Sequence, residues 1–265
     1  MNNPLYPAFF RLDRLQMLVV GAGEVGEEKL SFILKSSPNA RVTIVAPWMG
    51  EDLKRLLDQY RAEADTLGDA AQDAGNSPEA VTDGAETPRG HWRTTAGGHV
   101  TWYDREFRDA DVDQADLVVA ATNFREVNHR VWRAAKAARR LTNVADTPSL
   151  CDFYLGSIVT RGPLKVAIST NGQSPTFAKR FRQWLEAELP EAETSQLITN
   201  LKVFRDRLTG DFATKVRELN AVTSGLLSSP KPAPPSNFAP ARQRPDAASE
   251  LAPKEDAAPV ENTVE

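Results

Sequence analysis

Apolar positions along the chain change period in a repeating way. "MLVV" (Met17–Val20) is a short unbroken apolar run, and from Val25 to Leu34 the apolar residues take helical spacing. "RVTIVA" (Arg41–Ala46) is β-branched and strand-like, and "EDLKRLLDQY" places Leu53, Leu56 and Leu57 on one helical face. Further on, "HVTWYD" (His99–Asp104) alternates, "ADLVVAAT" (Ala115–Thr122) is apolar, "REVNHRVWRAAKAARR" is helical and "LTNVAD" is again strand-like. Apolar, β-branched strands alternating with helices predict a parallel sheet in an α/β domain of Rossmann type. A strand at Leu164–Ser169 and a helix opening at Pro175 follow, with Ser174 as its cap. These predict a small segment and a helical C-terminal region after the sheet domain.

Two stretches break the pattern. Residues 61–98 are small, polar and acidic, and they read as a mobile insertion looping out of the fold. From Ser228 onward the chain holds eight of its 18 prolines and one aromatic residue, too little apolar surface to offset ordering entropy. The predicted organisation is a dinucleotide-binding domain over 1–153, a dimerisation and helical substrate-binding region over 154–227, and a disordered tail over 228–265.

Charge follows the same division. The 265 residues carry 32 basic and 36 acidic side chains, but 25 basic and 23 acidic remain outside the two decorated stretches. A near-neutral folded part does not favour nucleic acid as a partner. No apolar run reaches the ~18 residues that span a bilayer, so no membrane is expected. The N-terminus lacks a signal-peptide pattern. One Cys and three His exclude an internal disulfide and argue against a pre-built zinc site. The expectation is a cytoplasmic protein with no resident metal.

"VVGAGEVGEEKL" sets Gly21, Gly23 and Gly26 in G-x-G-x-x-G spacing between a strand and a helix. That context turns a weak motif into a dinucleotide-binding one. Gly21 permits the tight turn, Gly23 lets backbone approach a pyrophosphate, and Gly26 lets the helix pack close. Glu24 and Val25 open the helix, whose N-terminal N–H groups favour phosphate. The second strand ends at Ala46, Pro47 and Trp48, with neither the acid that holds a ribose nor an Arg for a 2′-phosphate. Contact there is expected through backbone or apolar surface, and NAD over NADP. Ala120, Ala121 and Thr122 are small residues at a strand's C-terminal end, where a cofactor can approach.

A second polar turn, Thr170, Asn171, Gly172, Gln173 and Ser174, precedes a helix carrying Lys179, Arg180 and Arg182. Hydroxyls and N–H groups at a helix N-terminus beside cations suit carboxylates. The basic residues Arg130, Arg133, Lys136, Arg139 and Arg140 read as a solvated helix face. Cys151 reads as a small packed residue and His129 as structural or exposed. Asp146, two residues before Pro148, reads locally as a turn residue.

The order of these pieces, "FFRLDRLQMLVVGAGEVGEEKL", "VTIVAP", "DLVVAATN" with "VN", "NVADTP" and "FYLGSIVTRGPLKVAISTNGQSPTFAKRFRQWLE", resembles the precorrin-2 dehydrogenase / sirohydrochlorin ferrochelatase family. This is the module at the N-terminus of siroheme synthase. The resemblance spans roughly 5–225 apart from the insertion, and is most specific from Asn143 to Leu185. It implies a Rossmann domain, a β-rich dimerisation segment and a helical region. It also implies NAD-dependent oxidation of precorrin-2 to sirohydrochlorin, and in many members insertion of Fe2+ as a second substrate. By that resemblance Asp146 is the catalytic residue and Asn143 a substrate contact, while Thr170 and Asn171 depart from the family's usual Ser and Gly. A homodimer and a tetrapyrrole substrate are the implied partners. The rival readings are an NAD-sensing regulatory Rossmann module without turnover, and a carrier or scaffold built on the insertion and tail.

Overall fold

The computed structural model describes residues 3–62 and 86–226. The chain falls into two compact units, Met1–Val203 and Phe204–Glu265.

The first unit is built on a six-stranded sheet. Its strands are β1 (Gln16–Val20), β2 (Arg41–Val45), β3 (Gly90–Arg93), β4 (His99–Tyr103), β5 (Leu117–Ala120) and β6 (Leu141–Val144), in the order β3-β4-β2-β1-β5-β6. All neighbours run parallel except β3, which is antiparallel to β4. Helices α1 (Glu24–Ser36) and α2 (Glu51–Tyr60) follow β1 and β2, and α3 (Arg125–Ala137) follows β5. Met17–Val20 and Leu117–Ala120 are buried throughout, because residues of alternate parity face opposite covered sides. Met17, Val19, Val42 and Ile44 pack with Leu30, Leu34, Leu53 and Leu57 in one cluster. Leu18, Val20, Val118 and Ala120 pack with Val131 and Ala135 in the other. Each fully buried Val, Leu, Ile or Met among them contributes about 1.5–3 kcal/mol. The predicted α/β Rossmann-type architecture is the one observed.

Two features position the site. The chain leaves β1 toward β2 on one side, and β5 then pairs with the other side of β1. The C-terminal ends of β1 and β5 therefore flank the switch point at which such sheets bind ligands. Between β4 and β5 a 3₁₀ turn, Asp109–Val112, takes the place of a crossover helix. Arg105 holds it by a two-pronged bond, Nη1 to Asp111 Oδ2 at 2.9 Å and Nη2 to Oδ1 at 2.7 Å, and Arg108 N donates to Asp111 Oδ2.

The stretch read as an insertion is shorter than expected. Residues 90–93 form β3, and 86–89 lead into it, with Arg89 N donating to Trp102 O. Trp92 is buried and its Nε1 donates to Asp58 Oδ1 of α2 at 2.9 Å. Thr94 is also buried, its hydroxyl donating to Pro38 O. Residues 86–98 thus finish one edge of the sheet, and only 63–85 of the expected insertion lies outside the described residues.

After β6 the chain turns back along the sheet edge. It then forms a two-stranded sheet of β7 (Ser157–Arg161) and β8 (Leu164–Ile168), followed by α4 (Pro175–Glu188) and α5 (Glu191–Arg207). The compact unit Met1–Val203 runs across residue 153. Phe153 and Leu155 pack on the first sheet cluster, and Lys165 Nζ donates to Ser36 O and to Ser37 Oγ at the end of α1. The hairpin and α4 therefore belong to the same unit as the sheet. Arg161 fastens β7 to the end of α4, with Nε to Leu189 O at 2.5 Å and Nη2 to Glu186 O at 2.7 Å.

In the second unit α6 (Phe212–Thr223) is capped by Asp211, whose Oδ1 accepts from Thr214 N at 2.8 Å. The expected tail over 228–265 lies outside the described residues.

Candidate nucleotide site at the switch point

The glycine turn is shaped by contacts that leave no room for side chains. Gly21 has φ +106°, and a Cβ on it would lie 2.4 Å from Ala121 O. A Cβ on Gly26 would lie 2.3 Å from Gly21 O. Gly21 N donates to Val45 O at 3.0 Å, so the turn is tied to the end of β2 while pressed against the end of β5. At both positions the neighbouring backbone excludes a side chain.

Gly23 is the N-cap of α1, in extended conformation, and no side chain caps the helix. The first-turn N–H groups of Glu24, Val25 and Gly26 thus face outward beside the positive end of the helix dipole, a setting that suits phosphate. For Glu24 this involves the backbone only, since its carboxylate would repel an anion. Val25 packs against the first apolar cluster. A Cβ on Gly23 would stand 3.3 Å from Cη2 of Trp48, and one on Gly50 would stand 3.8 Å from Cζ3 of the same ring. Trp48 is 59% exposed, so its indole lies over the mouth of the turn with one face open. Pro47 beside it is exposed.

Ala46 departs from the expected cofactor contact. Its N–H donates to Tyr103 O at 3.2 Å and its carbonyl accepts from Trp102 Nε1 at 2.9 Å. Both backbone groups are engaged with β4 and the residue is buried, which leaves the end of β2 to present Trp48 instead. Ala121 and Thr122 wall the turn from the β5 side, as the Gly21 contacts require. These residues fit a dinucleotide, because the tight glycine turn brings backbone to the start of α1 and no side chain caps that helix end.

Asp146 lies on the same edge. It follows β6, is exposed, and takes φ 54°, a left-handed conformation that Asp tolerates better than most residues. The neighbouring Ala145 N donates to Ala120 O at 2.9 Å, next to the wall of the glycine turn. The local reading of Asp146 as a turn residue is therefore correct as geometry, and the turn presents the carboxylate at the switch-point edge.

The loop beyond Asp146 is held by three side chains. Cys151 Sγ accepts from Val144 N at 3.2 Å and faces Val144 O at 3.3 Å. Burial pushes the Cys151 thiol up, in keeping with a packed residue. Asp152 accepts from Thr142 N at 2.8 Å, from the Thr142 hydroxyl at 3.0 Å and from Lys136 Nζ. Asn143 is only 7% exposed, and its Nδ2 donates to Phe153 O at 2.9 Å. The expected substrate contact at Asn143 gives way to an anchoring one, because its amide is turned inward onto the returning chain. Lys136 is likewise more than part of a solvated face, and Arg130 and Arg140 bond Asp109 and Asp113 O.

The second turn keeps its predicted cap. Ser174 Oγ accepts from Phe177 N at 3.2 Å, and Thr170 Oγ1 accepts from Ser174 N at 3.1 Å. A hydroxyl that accepts a backbone N–H still has a proton to donate, so both can bond a carboxylate. Asn171 and Gly172 both have positive φ, 52° and 75°, which opens the turn outward, and Lys179 is exposed on α4. The hydrogen bonds of Thr170 and Ser174 are local. This turn stands on the hairpin–helix junction, a different element from the sheet edge that carries the glycine turn and Asp146.

Among the described residues no three His, Cys, Asp or Glu side chains gather as a metal site. An open polar cleft occurs at the opposite edge of the sheet, where Arg41, His99 and Asp116 stand at the strands' N-terminal ends. Its glycine, Gly97 at φ +79°, turns the chain into β4 and opens no helix, and ligands of such sheets bind at the strands' C-terminal edge. Sequence reading missed Asn128, a polar residue inside α3 that bonds Thr122. It stands in the sequence as the Asn of "VN", to which the sequence reading gives no role, and its burial at 5% is what marks it.

Comparison with known proteins agrees with this geometry. Residues 161–188 match the family model described as sirohaem biosynthesis protein central. The siroheme synthase 3 of Aeromonas hydrophila is 34% identical over 185 residues, 70% of this chain and 31% of that protein. The siroheme synthase 1 of Klebsiella pneumoniae is 35% identical over 184 residues, 69% of this chain and 31% of that protein. That of Nitrosomonas europaea is 32% identical over 206 residues, 78% and 35% of the two chains. The chain spans about a third of the length of these relatives. The solved structure titled "SirC, precorrin-2 dehydrogenase" shares the fold, with a TM-score of 0.55, 22% identity, and coverage of 82% of this chain and 89% of that one. Residues 8–157, more than half of the 265, match the NAD(P)-binding family model, and the chain belongs to that family.

Proposed function

We propose that this chain oxidises precorrin-2 to sirohydrochlorin with NAD, in siroheme biosynthesis, and takes Fe2+ as a second substrate to give siroheme. The observation that carries the reading is the position of Asp146. Its carboxylate stands exposed on a left-handed turn beside the end of β5, at the edge where the glycine turn receives the dinucleotide. The run of an NAD(P)-binding match over 8–157 into a sirohaem match over 161–188 supports the same substrate class.

The bound dinucleotide supplies the hydride acceptor. The chain's own residues do the rest. The α1 N-terminus and glycine turn hold the pyrophosphate, and the open indole face of Trp48 offers an apolar surface to the adenosine. Oxidation removes one hydride and one proton from the macrocycle, and Asp146 takes the proton on its carboxylate. Insertion of Fe2+ releases two pyrrole N–H protons, which the same carboxylate can accept in turn. The Thr170 and Ser174 hydroxyls, the N–H groups at the start of α4 and Lys179 bind the substrate's carboxylates, orienting it.

The active form in this proposal is a homodimer in the cytoplasm. Among the described residues the β7–β8 sheet has two strands, each with an edge that no described strand pairs, and a two-stranded hairpin gains from further cover. The one cysteine is a free, half-buried thiol, which suits a reducing compartment. Among the described residues no helix is long and apolar enough to cross a membrane.

The test is turnover. Purified protein is given enzymatically made precorrin-2 and NAD, and NADH and the sirohydrochlorin spectrum are followed; sirohydrochlorin with Fe2+ is assayed separately. Stoichiometric NADH and sirohydrochlorin are expected. NAD binding with no oxidation would leave a regulatory dinucleotide sensor and defeat the proposal.

A further inference from the structure

The glycine turn is only as rigid as the wall it presses on, and that wall ends where the sheet ends. Ala121 N still donates to Val20 O at 2.8 Å, but β5 closes at Ala120 and Thr122 has passed beyond the ladder. A strand end whose N–H and C=O have lost their neighbours would hydrate and move. Here one side chain takes over. Asn128, 5% exposed in the first turns of α3, accepts Thr122 N–H on Oδ1 at 3.1 Å and donates from Nδ2 to Thr122 O at 2.9 Å. The Thr122 hydroxyl lies 2.7 Å from the same Oδ1. It also accepts from Phe124 N at 3.2 Å, at a helix start that has no side-chain cap. One amide thus replaces the missing strand for both backbone groups of Thr122.

What Thr122 does follows from its neighbour. Measured from the Cβ position of Gly21, Ala121 O lies at 2.4 Å and Thr122 Cγ2 at 3.0 Å. Any drift of the Ala121–Thr122 peptide therefore moves the surface against which Gly21 sets its turn.

We propose that Asn128 is a positioning residue for the cofactor: by locking the Ala121–Thr122 peptide against Gly21 it sets the affinity for a nicotinamide dinucleotide without touching it. The inference rests on the reading of the glycine turn as the dinucleotide site.

The experiment compares wild type, Asn128→Ala and Thr122→Val, using NAD as the probe in calorimetry and in steady-state oxidation of precorrin-2. Asn128→Ala is expected to weaken NAD binding by about tenfold or more, from the loss of buried hydrogen bonds. KM for NAD should rise by a similar factor, with kcat within about twofold of wild type, since Asn128 contacts no substrate. Thr122→Val removes the hydroxyl arm alone and should weaken binding by a smaller factor; it also serves if Asn128→Ala fails to fold. Amide hydrogen exchange on ligand-free protein gives a readout independent of NAD. Exchange at Thr122 should accelerate in Asn128→Ala, while Leu18 in the sheet interior stays protected. Wild type that binds NAD alongside variants of unchanged affinity overturns the proposal alone, and so does unchanged exchange at Thr122. Wild type that binds no NAD overturns the cofactor reading and the proposal with it.

Discussion

Gly26 sits so close beneath Gly21 that a methyl group on it would come within 2.3 Å of the Gly21 carbonyl oxygen, whereas one on Gly23 would meet the edge of the Trp48 ring at 3.3 Å. The two glycines of one motif are therefore needed for different reasons. A backbone carbonyl cannot yield, but an exposed indole can. Gly26→Ala should destabilise the fold by about 2–3 kcal/mol, the scale of overpacking in a tight contact. Gly23→Ala should keep the melting temperature within a few degrees and instead lose NAD affinity. Thermal denaturation beside calorimetry checks the contrast. Equal loss of stability in both variants would show that Trp48 cannot move.

The role proposed for Asp146 is best examined with Asn. Asn shares the tolerance of Asp for φ 54°, so Asp146→Asn keeps the turn and removes only the ability to take a proton. Loss of a general base costs typically 10²–10⁴-fold in rate, so oxidation should fall by about that factor with NAD affinity unchanged. Asp146→Ala adds a backbone cost of roughly 1–2 kcal/mol in the left-handed region and confounds the two effects. Activity retained in the Asn variant would assign Asp146 to positioning.

Arg161 joins β7 to α4 by donating to two carbonyls at the C-terminal end of that helix, where a cation is favoured. Arg161→Met should lower stability by about 1.5–3 kcal/mol, the range for hydrogen bonds from a charged group. In urea the midpoint should fall with an unchanged slope. A fall in slope would mean that the hairpin unfolds separately.

Acid should release the loop behind Asp146 in a defined order. Burial alone would raise the Asp152 carboxyl, but Lys136 and the Thr142 N–H and hydroxyl together overcome it and hold the group below its ordinary value. A carboxyl depressed in the folded state contributes stability that is present above the unfolded value, about 3.9, and is lost as pH falls through the lower folded one. Lys136→Ala should shift the acid unfolding midpoint upward, followed by circular dichroism from neutral pH down. Coincident midpoints would show that Lys136 adds nothing to the clamp.

How legible the fold was depends on what each element shows its surroundings. β1 and β5 were plain in the sequence because both their faces are covered, which leaves an unbroken apolar run. β3 was not, because only Trp92 of its four residues turns inward and "GHWR" carries no alternation to read. Gly21 and Gly26 could be assigned from spacing alone, since their task belongs to the backbone. Asn143 could not, because a motif gives the presence of a side chain and not its direction. Asn128, Cys151 and Asp152 bond residues six to ten positions away around turns, at separations that neither helical nor strand periodicity registers.

Ala62 N donates to Arg93 O at 2.9 Å, and Arg61 bridges Thr94. The residues that follow α2 are thus fastened to the far end of β3, where the chain turns toward β4. The last turn of α2 and the end of β3 therefore stand or fall together, and a change that frays one would unseat Trp92 in the other.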